Sequence, residues 1–271
     1  EWYLKDFQSF IDYNIQDVEI VDRLEDKMRL IELCLTMAYD AKVNYMDVLG
    51  SVKYWDILIY NELRKKNIVI PQKIQREKSE KFEGAYVKDP IVGLHKWVMS
   101  FDLNSLYPHL IMQYNISPET LVADKAVKNM SVEKMLNKEV DTSILKDATM
   151  TPNGALFKTT QKGFLPELMQ KMYDDRVKFK QLMLEAQKDY EKTKDPKLLR
   201  DISKFNNIQM AKKISLNSAY GAIGNVWFRY YNILVAEAIT TSGQLAIRFI
   251  EHSLNEYLNK ILNTSILNNL V

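Results

Sequence analysis

The chain reads as an α+β fold. Three observations carry that reading: long stretches with apolar residues recurring every three or four positions, a few short apolar runs bounded by turn residues, and no regular strand–helix–strand rhythm of the kind that builds a parallel sheet. The 271 residues, 46% of them hydrophobic, suffice for one large domain or two to three small ones.

The elements follow in order. Val18, Val21, Leu24, Met28, Ile31 and Leu35 recur at helical spacing and predict one helix over 5–40. A second helix, about 49–66, carries Val52, Trp55, Ile57, Leu58, Tyr60 and Leu63, and Pro71 forbids its continuation. The polar stretch 72–84 is a surface connection. Ala85-Tyr86-Val87 reads as a short strand, Lys88–Gly93 as a turn, and 96–102 as a strand ending at Asp102. Pro108 is tolerated only in a first helical turn, so a helix begins near Ser105. Ser131 caps a short helix. Asn153-Gly154 between apolar flanks marks a hairpin. A long helix runs from Leu165 to about Thr193, Asp195-Pro196 breaks it, and another runs to about Ile223, an αα-hairpin. Val235 to Leu262 is a last amphipathic helix, with Ile239, Leu245, Ile247, Ile250, Leu254, Tyr257 and Leu258 on its apolar face.

Bulk properties exclude more than they select. Thirty-seven basic against 35 acidic residues leave a net charge of +2, too mild to argue for nucleic acid unless the cations cluster. The single Cys34 excludes internal disulfides, and His95, His109 and His252 are too scattered for a histidine metal cage. No run of about 18 apolar residues implies a membrane-crossing helix, so no membrane is expected. The first residues, EWYLKDF, do not form a signal peptide. Both ends read as interior sequence, and a fragment of a longer protein is expected.

Two strings carry chemistry: SFDLNSLYPHLI at 100–111 and KKISLNSAYGAIGNVWFRYY at 212–231. Asp102 closes an apolar run (Trp97, Val98, Met99, Phe101) just before a turn, as when a strand delivers a metal-binding carboxylate to the mouth of a site. Lys213, Asn217, Tyr220 and Gly224 stand at i, i+4, i+7 and i+11, on one helical face. A cation, an amide and a ring on one face suit a nucleoside triphosphate. Taken singly, each residue has a plainer explanation: Asp102 as a helix cap, Tyr107 as a core ring, Lys213 as a solvated cation. Arg176 and Lys180, also at i and i+4, form a cationic stripe that by itself reads as a solvated face.

Taken whole, the strings resemble motifs A and B of the family B (polymerase-alpha-like) DNA polymerases, and the wording of 217–231 is similar to that of T-even-type bacteriophage enzymes. The resemblance implies a template-directed DNA polymerase joining a deoxynucleoside triphosphate to a primer 3′-hydroxyl by a two-metal mechanism with Mg²⁺. It implies that Asp102 holds the metals and that the backbone around Leu103, Ser105 and Leu106 cradles the triphosphate. Tyr107 would exclude a 2′-hydroxyl from the sugar pocket. Lys213, Arg176 and Lys180 would contact the triphosphate, Asn217 would lie near the nucleotide, and Tyr220 and Gly221 would pack on the nascent base pair.

The same resemblance extends to two weaker signals. Tyr13 and Asp17, in YNIQD, are similar to the third motif of the family's 3′–5′ exonuclease, with Asp17 as metal ligand. FEGAY at 82–86 is similar to a template-contacting motif, with Gly84-Ala85 where paired glycines are commoner. The implied architecture is the end of an exonuclease domain (1–29), a helical connection (30–72), a first part of an antiparallel palm with motif A (73–162), a two-helix fingers hairpin with motif B (163–225), and a second part of the palm truncated before motif C (226–271). No Tyr-Gly-Asp-Thr-Asp-Ser-like hairpin occurs, so one of two polymerase carboxylates is present. Primer–template DNA, dNTP, a sliding clamp and replisome proteins are the implied partners, in the cytoplasm of an infected bacterium. The rival expectation is a catalytically incomplete fragment that binds nucleotide or DNA, or one subunit of a split polymerase.

Overall fold

A computed structural model describes residues 2–74, 83–96, 98 and 100–262. Its elements run α1 (Trp2–Lys5), α2 (Phe7–Met28), α3 (Leu30–Ala41), α4 (Ser51–Lys65), α5 (Leu106–Gln113), β1 (Leu121–Ala126), α6 (Val132–Leu136), β2 (Ala148–Met150), β3 (Ala155–Lys158), α7 (Phe164–Thr193), α8 (Pro196–Ile223) and α9 (Ile233–Leu262). The three strands form one antiparallel sheet in the order β1-β3-β2. The fold is α+β, as the periodicities predict.

The chain forms two compact units. One contains residues through Gly50 together with Arg176–Lys213; the other contains Ser51–Asp175 and the chain from Ile214 onward.

In the first unit the single helix expected over 5–40 is two. Arg29 adopts the left-handed conformation (φ 52°) and ends α2, its N–H bonded to the Glu25 carbonyl. The Glu25 carboxylate then accepts from the amides of Leu30 and Ile31 at 3.0 and 3.1 Å. Orphan N–H groups at the start of α3 are thereby satisfied, which lets the axis change without glycine or proline and without disturbing the apolar spacing. Met37, Ala38 and Ala41 of α3 and Val48 are buried; no residue of α2 is. Asp40 accepts both of its hydrogen bonds from Lys212 at 2.9 Å, and Glu32 accepts from Asn207. Phe179 of α7 and Phe205 of α8 meet with ring centroids 6.1 Å apart, so the expected αα-hairpin forms. Its turn is tight: Lys194 is left-handed, and the Asp195 side chain accepts from the Lys197 amide, with Pro196 as first helical residue.

The second unit is built on α4, α9 and the C-terminal part of α8. Tyr54 and Trp55 are each 1% exposed; their polar atoms reach Ser215 Oγ at 2.6 Å and Ser218 Oγ at 3.0 Å. Two large rings are thus buried without orphaning a donor. The Arg229 guanidinium grips both oxygens of Asp56 at 2.7 and 3.0 Å and donates to the Pro71 carbonyl. In α9 the stretch Val235–Gln244 is largely buried and packs against α5 and α6. That helix has the length and composition to cross a membrane, with a mean hydropathy of 1.3 in its most apolar window, but half of that window lies inside the unit. A half-buried window fits the amphipathic helix read from the sequence.

The Asn153-Gly154 hairpin joins β2 to β3 as expected. Gly154 takes φ 83°, and a Cβ there would lie 2.2 Å from the Val127 carbonyl oxygen, so glycine is required on both counts. Ser131 caps α6 by accepting from the Lys134 amide, as expected.

The strand expected at 85–87 and the described part of that expected at 96–102 carry no strand pairing. Trp97 and Met99 lie outside the described residues, as do 75–82 of the expected surface connection. A strand needs a hydrogen-bonded neighbour, and among the described residues the paired strands all come from 121–158. Val98 and Phe101 are accordingly 75% and 68% exposed, with no sheet to bury them among the described residues.

Candidate active site

The string that begins at Asp102 enters α5 through a left-handed Ser105 (φ 54°), which has no side-chain cap bond. Pro108 falls in the first turn, where its missing N–H costs nothing, and is buried. His109 donates its amide to the Ser105 carbonyl and sets its ring edge-on to Tyr173 at 4.6 Å. It is a packing residue. Asp102 and Leu103 are exposed; Ser105, Leu106 and Tyr107 are half-buried. Asp102 makes no ion pair among the described residues, and no three His, Cys, Asp or Glu side chains there gather as a metal cage. The carboxylate is therefore open to a cation but is a single ligand.

The second string lies on α8. Its buried side holds Ser215, Leu216, Ala219, Ala222 and Ile223; Lys213, Asn217 and Gly221 are exposed and Tyr220 is half-buried. The helix stops at Ile223, one residue before Gly224, which begins the turn into Asn225. The four-residue face read from the spacing is therefore a three-residue face followed by a turn. Neighbouring lysines have opposite fates: Lys212 is 8% exposed and bound to Asp40, while Lys213 faces solvent. A Cβ on Gly221 would meet nothing nearer than Ser51 Oγ at 4.0 Å, so the chain's own packing does not require glycine there.

The two strings meet in the second unit. The Tyr107 and Tyr220 rings stand edge to face, centroids 5.0 Å apart and planes at 62°. Burial raises the pKa of both phenols above the ordinary tyrosine value, and the proximity of Tyr107 adds to the rise at Tyr220. Both rings are neutral at physiological pH and offer shape and a hydroxyl, not acid–base chemistry.

Sequence reasoning missed the floor beneath this pair. The run Thr240-Thr241-Ser242-Gly243-Gln244 interrupts the apolar pattern of α9 with small and polar residues. A Cβ on Gly243 would lie 2.7 Å from Tyr107 Cε1. On the same helix Gln244 Nε2 donates to the Gly84 carbonyl at 2.7 Å and to Glu83 Oε1 at 3.1 Å, and Thr240 Oγ1 donates to the Glu83 carbonyl at 2.7 Å. Gly84 and Ala85 are exposed on that anchored segment; Phe82 lies outside the described residues. A glycine buried inside a helical pattern signals close approach, and that was the available clue.

Lys213 and the remaining candidates belong to the first unit. Arg176 is half-buried and Lys180 exposed on α7. Tyr13 and Asp17 are exposed on α2, the Tyr13 ring meeting Trp2 at 5.8 Å.

The family model described as DNA polymerase family B matches residues 51–269. The DNA-directed DNA polymerase of Escherichia phage RB69 is 35% identical over 95% of this chain and 33% of its own length. That of Enterobacteria phage T4 is 32% identical with the same two coverages. A solved family B DNA polymerase from the hyperthermophilic archaeon Pyrobaculum calidifontis shares the fold with a TM-score of 0.62 over 87% of this chain and 28% of its own, at 23% identity. The chain belongs to DNA polymerase family B. It spans about a third of the length of the phage relatives it matches, 33% of each.

Proposed function

We propose that this chain supplies the nucleotide-selecting part of a template-directed DNA polymerase, acting in phage DNA replication in an infected bacterial cell. The observation that supports this most directly is the contact between Tyr107 and Tyr220, which joins the segment after Asp102 to the C-terminal part of α8. Family membership and the phage relatives support the reaction class and setting.

In this reading the Tyr107 ring lies under the incoming sugar, where a 2′-hydroxyl collides with it. Lys213, Arg176 and Lys180 bind the triphosphate by charge-assisted hydrogen bonds, while the backbone of Leu103, Ser105 and Leu106 donates N–H groups to it. Asn217 lies beside the nucleotide. The open face of Gly221 and the ring of Tyr220 take the nascent base pair. The segment at Gly84-Ala85 touches the template strand.

Asp102, exposed and unpaired among the described residues, suits a hard divalent cation as one oxygen ligand. Asp102 would hold Mg²⁺ as one oxygen ligand, and the ion would supply charge to offset the triphosphate and lower the pKa of the primer 3′-hydroxyl. Tyr13 and Asp17 belong, in the same reading, to a 3′–5′ exonuclease site.

A second reading has support in the absence of any group of three metal-ligating side chains among the described residues. On its own the chain binds nucleotide or DNA without catalysing transfer. Primer extension tests both: the chain alone gives no extension, and the longer polypeptide that contains it extends a primer with dNTPs and a divalent cation. Extension by the isolated chain defeats the second reading. Failure of the longer polypeptide, with Asp102 intact, defeats the first.

A further inference from the structure

We infer that Gly243 is a positioning residue for nucleotide selection, the floor against which Tyr107 is seated. The inference rests on the proposed role of Tyr107 as sugar selector. Gly243 is buried in α9, deep inside a 30-residue helix where glycine is otherwise unfavourable. Nothing in its backbone demands glycine, since its φ lies in no left-handed region. What demands it is one neighbour: an added Cβ would approach Tyr107 Cε1 to 2.7 Å, with Cδ1 and Cζ at 3.6 and 3.7 Å. All three nearest atoms belong to that single ring.

The ring has little freedom to evade such a group. It projects from the first turn of α5, which packs on α9, and Tyr220 stands against it from α8. Tyr107 is only half-buried, so the direction left open is away from α9, toward solvent. A methyl group on Gly243 drives the ring that way, into the space assigned to the incoming sugar. Gly243 therefore sets how high the selecting ring stands, although it touches no substrate. The same helix face holds Glu83 and Gly84 through Thr240 and Gln244, so this stretch of α9 is a rigid reference for the ring.

The test is a double-mutant cycle in the full-length polymerase containing these residues, with Gly243→Ala, Tyr107→Ala and the pair. Gly243→Ala alone raises the deoxynucleotide KM by at least about tenfold, with kcat changed less than about threefold, the scale on which one excess methyl group acts in a packed site. In the Tyr107→Ala background the same substitution changes nucleotide use by less than about twofold, because the colliding ring is gone. Equal effects in both backgrounds overturn the inference. If Gly243→Ala does not fold but the pair does, the contact is the cause and the inference stands; if neither folds while Tyr107→Ala does, it falls. If Tyr107→Ala itself leaves sugar discrimination unchanged, the selecting role of Tyr107 fails, an outcome separate from failure at Gly243. A crystal structure of Gly243→Ala reads the ring directly: an unmoved Tyr107 overturns the inference irrespective of activity.

Discussion

The ring of Tyr107 meets the ring of Tyr220 edge-on at 5.0 Å, so two motifs separated by more than a hundred residues share one aromatic contact. Each ring limits the rotamers of the other, which the sugar-selecting role proposed for Tyr107 requires. Both phenols are neutral at physiological pH, and the predictions for Tyr107 test whether the ring or its hydroxyl matters.

Tyr107→Ala in the full-length polymerase should admit ribonucleotides far more readily, with deoxynucleotide use changed modestly, since a clash is removed and not an attraction. Tyr107→Phe should retain most of the discrimination. Parallel titrations with both nucleotide types measure this. Discrimination that survives Tyr107→Ala would return the residue to simple core packing.

Lys212 and Lys213 should separate stability from nucleotide use. Lys212→Ala breaks a charge-assisted pair whose lysine side chain is 11% exposed, and should cost about 1.5–3 kcal/mol in denaturant unfolding. Lys213→Ala should leave unfolding nearly unchanged but raise the nucleotide KM roughly tenfold to a hundredfold, by the loss of one such contact to the triphosphate. An unchanged nucleotide dependence removes the triphosphate role from this helix.

Alkaline pH should weaken the second unit through Tyr230. Burial, reinforced by Asp56 and Glu119 and opposed by Arg229, pushes its phenol up to about 12 from an ordinary value of 10.0. The folded state holds the proton more tightly than the unfolded state, so the stabilisation is fully present below about pH 10 and is lost as pH rises through about 12. The Tyr230 hydroxyl is buried without a hydrogen-bond partner among the described residues, so Tyr230→Phe should cost little at neutral pH. Urea midpoints measured from pH 9 to pH 12 should fall less steeply in that variant. Tyr107, Tyr114 and Tyr220, whose pKa values burial also raises, contribute to the slope that remains. Identical pH profiles count against the buried-phenol account.

Gln244→Ala should release the Glu83–Gly84 segment, which it holds through two hydrogen bonds. Cleavage at Glu83 by a glutamate-specific protease should accelerate by about tenfold, the scale of one or two net hydrogen bonds. If Gly84-Ala85 touches template, affinity for primer–template should fall while nucleotide affinity measured at saturating DNA stays close to normal.

Much of this architecture was legible in the amino-acid order. The helix hairpin, its break at Asp195-Pro196, the Asn153-Gly154 turn and the Ser131 cap depend on local torsion preferences and on bonds spanning a few residues, and local signals suffice for those. The face of α8 that carries Lys213, Asn217 and Tyr220 was legible too, because helical period alone places those positions together. What spacing could not supply were the long-range choices. Arg29 splits a continuous apolar pattern because a glutamate caps the next helix, and residues 100–102 stay unpaired because no described strand lies beside them. Which of two adjacent lysines is buried depends on an aspartate 172 positions away. The role of Gly243 emerges only when a ring from a distant helix is laid against it. Such contacts pair residues far apart in the chain, and the hydrophobic pattern that folds a helix carries no label for the partner it will meet.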